Sequence, residues 1–180
     1  MLTPYSATLI SSQIDGPTLT SSTSFQSMLP LQAKYTFPSQ FFQFIGQMIH
    51  IRAAGRLTTV TSPGTLTFEV VVGSTVVFTS GAMTLVASLT TVTFIADVTL
   101  TVRALDTNAA AGLTFMGIGK FDCVAVTNVV TSGGSVMPAS APVVGTAIDN
   151  STTNLLDVGI LSSATTSTLI CHQYQLDSLL

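Results

Sequence analysis

The residues with most chemistry to offer are two histidines and two cysteines, and all four fall inside strand-like runs: His50, His172, Cys123 and Cys171. A histidine beside a cysteine can generate a thiolate nucleophile. Cys171 and His172 are adjacent, however, and neighbours on a strand point to opposite faces, which disfavours that pair. Cys123 with His172 stays open at this level. Two histidines alone make a poor metal site, so both are expected to be structural. The cysteines read as small buried hydrophobes rather than as a disulfide.

The acids are equally uncommitted. Asp97 and Glu69 lie on outward strand positions, while Asp106, Asp149 and Asp157 fall at or near loops. Hydrolysis of a glycoside needs two carboxylates facing one cleft, and no pair is singled out. Asp106, Asn108, Asp149 and Asn150 offer oxygen ligands for calcium, but their spacing matches no ion-binding loop. Gly117 and Gly119 stand inside a strand without the following helix that a phosphate cradle requires. Nucleophile-elbow and nucleotide-binding patterns are missing. The Asn150-Ser151-Thr152 sequon has no secretory signal before it and reads as chance. The sequence predicts no catalytic, cofactor or metal residue, and no enzyme.

The elements around these residues are strands. Thr91 to Leu105 alternates over its whole length, with Val92, Phe94, Ala96, Val98, Leu100 and Val102 on one side and mostly threonine on the other. A period of two over such a run is a strand with one buried face. Apolar residues make up 47% of the chain and charged residues only 7%, against roughly a quarter in ordinary soluble domains. Serine and threonine fill about a quarter instead. With a single Glu, two Lys and three Arg, there is little to clothe a solvated helix. The expectation is an all-β protein: a two-sheet antiparallel jelly-roll sandwich of about eight strands over residues 34–180, preceded by an extended N-terminal arm at residues 1–33.

Eight runs carry that expectation: Met48 to Thr61, Thr65 to Val72, Thr75 to Ser80, Thr91 to Leu105, Leu113 to Thr127, Val143 to Asp149, Leu155 to Ser162 and Thr168 to Asp177. Gly73-Ser74 is a two-residue hairpin turn. Ser39 is expected to cap a short helical turn bearing Phe41, Phe42, Phe44 and Ile45, an aromatic plug over one end of the core. In the arm, Leu19, Phe25, Met28 and Leu29 are isolated apolar residues in a Ser/Thr-rich stretch. They are the expected assembly contacts, docking on a neighbouring subunit. An immunoglobulin-like sandwich is the runner-up, though it lacks the Cys, Trp and Cys pattern because the chain has no Trp.

The five basic residues (Lys34, Arg52, Arg56, Arg103 and Lys120) are scattered, so nucleic acid is not an expected partner. No apolar run is long enough to span a membrane as a helix. A surface so poor in charge is expected to be covered, by copies of the chain or by a partner.

Four segments resemble small structural proteins of tailed bacteriophages: FQFIGQMIHIRAAGRL (42–57), SPGTLTFEVVVGSTVVFTSGAM (62–83), FMGIGKF (115–121) and CHQYQLDSL (171–179). The matching positions are Gly46, Arg52, Ala54, Gly55, Arg56, Pro63 to Thr67, Gly81 to Met83 and His172 to Leu179. The resemblance spans about Lys34 to Leu180. It implies a jelly-roll subunit of the virion, of the capsid decoration or cement type, forming a homotrimer on the phage major capsid protein. The alternative is a receptor- or carbohydrate-binding module of a tail fibre, for which the absence of Trp is unfavourable. A main capsid protein would be expected to carry a basic arm, and residues 1–33 hold no Lys or Arg.

Overall fold

The computed structural model describes residues 6–20, 22–105, 112–127, 134–138, 140–163 and 167–179. Two antiparallel sheets pack face to face, as expected for this composition. Sheet A has seven strands. Its path runs β1 (Ser6–Ser12), β13 (Thr168–Leu179), β5 (Met48–Thr58), β9 (Val92–Ala104), β10 (Thr114–Cys123) and β11 (Gly134–Met137), with β2 (Leu19–Thr20) also on β13. Sheet B has six, in the order β3 (Gln26–Ser27), β12 (Asn154–Ser162), β6 (Thr65–Val72) and β7 (Thr75–Thr79). To these are added β4 (Tyr35–Phe37) beside β12 and β8 (Met83–Thr84) beside β6. Among the described residues seven of the eight expected runs form strands and six further strands appear: β1, in the segment read as an arm, and five (β2, β3, β4, β8 and β11) that lie below the length at which alternation is legible.

The long strands follow their patterns. Phe94, Ala96, Val98, Leu100 and Val102 of β9 face the core and are fully buried. Gly73 takes a positive φ and turns β6 into β7, with Val72 opposite Thr75. The two glycines of β10 answer a packing need: Gly117 faces inward opposite Leu100, and the Phe78 ring from sheet B occupies the place of its missing side chain. Val143 to Asp149 is not the continuous strand expected. It touches β10 through a bridge from Val144 to Met116 and through Gly145 N–H to the Phe115 carbonyl (2.8 Å), and bridges Leu113, just before β10, from Ile148.

No helix forms after Pro38; the chain makes two turns there instead. The aromatic plug does exist, but it is built from Tyr35, Phe37, Phe41, Phe42 and Phe115, with centroid separations of 4.9–6.4 Å. Phe44 and Ile45 stay outside, 38% and 65% exposed.

The N-terminal segment departs most from expectation. It does not extend away as an arm. β1 and β2 pair with β13, β3 pairs with β12, and a 3-10 turn (Leu31–Ala33) leads into β4. Met28, Leu29 and Leu19 are buried in the chain's own core, with Met28 wholly inaccessible. In the single chain these three side chains serve the core rather than an outward surface. Phe25 alone of the four stays half-exposed, its ring lying over Gly159.

Candidate functional site

Alternation on β5, β9, β10 and β13 fixes what sheet A shows to the outside. Arg52 and Arg56 project from β5, Asp97 and Arg103 from β9, Lys120 and Asp122 from β10, and Asp177 from β13. Residues scattered in sequence are thereby collected: four of the five basic side chains share one face.

At its centre His50 faces two carboxylates. Its Nε2 lies 2.9 Å from Asp97 Oδ1, and its Nδ1 lies 3.8 Å from Asp177 Oδ2. Asp177 also accepts the Thr8 hydroxyl of β1 at 2.7 Å and the Gln175 amide at 3.0 and 3.1 Å. Lys120 Nζ reaches Asp122 Oδ2 at 2.8 Å, and this bonded carboxylate pushes the Lys120 pKa above its usual value. Every carboxylate on the face therefore has a partner. The arginines do not: among the described residues Arg52, Arg56 and Arg103 form no ion pair or hydrogen bond. Arg52 borders a depression of about 270 Å³ with Ser11, Ser12, Gln13, Ile95, Gln173 and Gln175.

A histidine held by a carboxylate is half of a nucleophile-activating relay. The other half is missing among the described residues, since no serine or cysteine is hydrogen-bonded to His50. Cys123 and Cys171 are free, point into the core and lie on β10 and β13, with β9 and β5 between them. Burial pushes the Cys171 thiol up to about 11 and raises that of Cys123, the reverse of activation.

β5 and β13 are neighbours, but the two histidines do not meet. His50 is opposite Asp177, whereas His172 occupies a bulge near Gly55 and bonds Asp15 (Nδ1 to Oδ1, 2.6 Å). Among the described residues no group of three His, Cys, Asp or Glu is placed to hold a metal. Asp106 and Asn108 lie outside the described residues. Asn150 is buried and committed, its amide donating to the Phe42 carbonyl at 2.7 Å, so the sequon side chain is not presented to solvent.

A second concavity, about 440 Å³, opens between β7 and residues 138–146. Val76, Phe78, Gly117, Pro138, Val143 and Val144 line it, with no charged residue. It offers shape without reactive groups. Of the described tyrosines, Tyr174 is 3% exposed and Tyr35 is half-buried within the plug.

The chain matches no protein-family model and no curated protein. One similar solved structure is the CBM2 module of Lactobacillus casei BL23 phage J-1 evolved Dit, at TM-score 0.34 and 9% identity, covering 80% of this chain and 67% of that one. The two share too little geometry for a role to be carried across.

Proposed function

We propose that this protein is a non-enzymatic structural component of a tailed-phage virion, specifically a capsid decoration or cement protein that acts as a homotrimer on the major capsid protein. One observation carries the reading. Two of the four segments resembling phage structural proteins, 42–57 and 171–179, although more than a hundred residues apart, fold as the paired strands β5 and β13 of sheet A, with outward Arg52 opposite outward Gln175. A motif that converges on an outer surface, not on a core or a reactive cluster, suits a contact surface. Binding to the assembled shell and not to free subunits would stabilise the shell by mass action.

Quantitative protein analysis of purified particles tests this. Hundreds of copies per particle are expected, with heads lacking the protein releasing DNA at a lower temperature. Tens of copies or fewer would favour the tail-fibre module, and equal heat resistance with and without the protein would sink the cement role.

A further inference from the structure

We infer that the depression beside Arg52 is a socket for a carboxylate side chain, and that the outer face of sheet A is the surface by which this chain docks on an acidic protein surface. The identity of that surface rests on the virion reading; the socket does not. The argument begins with charge. Four positive and three negative side chains give the face a charge of +1 in a chain of −3, leaving −4 on the remainder. The molecule thus turns its least acidic side outward at sheet A. The hydrogen bonding is asymmetric as well. Asp97 is held by His50, Asp122 by Lys120, and Asp177 by Thr8 and Gln175, so the acceptors are taken. The guanidinium donors of Arg52, Arg56 and Arg103 are left over, and their natural complement is a carboxylate.

Arg52 is the anchor because it alone combines a free guanidinium with a concavity. Gln173 and Gln175 project beside it from β13, and Ser11 and Ser12 close the side at β1. The lining holds no acid, and Asp97, directly opposite Arg52 in the ladder, is turned to His50. The volume, about 270 Å³, falls just below the ~300–1,000 Å³ of small-molecule pockets and suits one inserted Asp or Glu. Nucleic acid fits poorly, since Asp97, Asp122 and Asp177 lie among the basic residues and would repel a continuous run of phosphates. An acidic sugar shares the carboxylate but would want an aromatic wall, and the one aromatic residue at the socket, Tyr174, is buried.

The test compares two variants that each make the chain more negative by one: Arg52→Gln at the socket and Thr36→Glu on exposed β4 of sheet B. Both should keep the wild-type thermal midpoint. Rebinding to particles stripped of the protein should weaken about tenfold or more for Arg52→Gln, the loss of one charge-assisted contact, and less than about twofold for Thr36→Glu. Equal losses would reduce the effect to net charge, and unchanged binding of Arg52→Gln would remove the socket; either overturns the inference. A second arm uses immobilised poly-L-glutamate, polygalacturonate and duplex DNA at low salt. Retention on polyglutamate that is lost in Arg52→Gln is expected. Retention only on polygalacturonate or DNA, or none on polyglutamate, overturns it. If wild-type protein fails to rebind particles yet shows the Arg52-dependent retention, the virion reading falls and the socket stands.

Discussion

The outer faces of the two sheets use charge in opposite ways. On sheet B the charged groups fasten the chain to itself. Asp157 of β12 accepts Ser27 of β3 and Lys34 beyond the 3-10 turn, each at 2.6 Å, with both members of the ion pair mostly shielded from solvent. The remainder of that face is threonine, valine and leucine, plus Glu69. On sheet A the carboxylates are also engaged, but three arginines stay exposed and unpaired among the described residues. One face consumes its charge in folding; the other keeps donors for something outside the chain. The difference arises where the N-terminal segment crosses the sandwich. At sheet B it brings the partners that Asp157 needs, and at sheet A its strand β1 lies at the edge, leaving the centre uncovered.

The largest effect should come from taking that segment away. Deleting residues 1–33 removes β1, β2 and β3 together with the core side chains of Leu19, Met28 and Leu29. Each buried Leu or Met is worth about 2–5 kcal/mol on truncation, and a domain of this kind holds only about 5–15 kcal/mol in total. The truncated chain is expected not to fold cooperatively, whereas Met28→Ala should fold with a loss of about 2–5 kcal/mol. Chemical denaturation reads both. A truncated chain that unfolds sharply near the wild-type midpoint would restore the detachable arm and break the contrast between the faces.

A smaller pair of changes sharpens it. Asp157→Ala should cost about 2 kcal/mol, since it strands a partly buried lysine and a hydroxyl. Asp97→Ala on sheet A removes a contact to His50 that is 27% and 31% exposed, and should cost under about 1 kcal/mol. In particle binding Asp97→Ala should match or exceed wild type, because it leaves Arg52 in place and takes a negative charge off the proposed docking face. Equal destabilisation by the two would mean that sheet A's network is as structural as sheet B's.

Much of this was readable in one dimension. The β6 to β7 hairpin announces itself through Leu66, Phe68, Val70 and Val72 alternating into Gly73-Ser74, and β9 through thirteen alternating residues. Such signals are local, one strand long. Leu19, Met28 and Leu29 gave no period because the strands that bury them, β12 and β13, lie more than 120 residues away; each is a single contact to a distant ladder. The outer face of sheet A was half legible. Arg52 and Arg56 are visibly outward on β5, but nothing local says that Asp97 and Asp177 arrive on either side of His50. That follows only from β5 pairing with both β9 and β13. Of the four phage-like segments, 42–57 and 171–179 become neighbours as β5 and β13, while 62–83 forms β6 to β8 of sheet B and 115–121 lies in β10, and nothing local separates these outcomes.

The gentlest probe of the contrast is Glu69, the carboxylate on sheet B that no cation holds among the described residues. It projects from β6 between Gly159 and Thr79, and desolvation raises its pKa above the usual glutamate value. The folded chain therefore keeps its proton to higher pH than the unfolded chain does. Folding stability is greatest below the unfolded value, and part of it is lost as pH rises through the glutamate range. Glu69→Gln cannot lose that proton, so it should flatten this portion of the profile and be slightly more stable at neutral pH. Because the side chain is only half-buried, solvent screening should keep the gain under about 0.5 kcal/mol. Thermal midpoints of both proteins between about pH 4 and about pH 7 measure it. The difference between variant and wild type should grow with pH. A variant that becomes less stable than wild type at neutral pH would mean that the Glu69 carboxylate has a favourable partner, and that sheet B, like sheet A, gains from its outward charge.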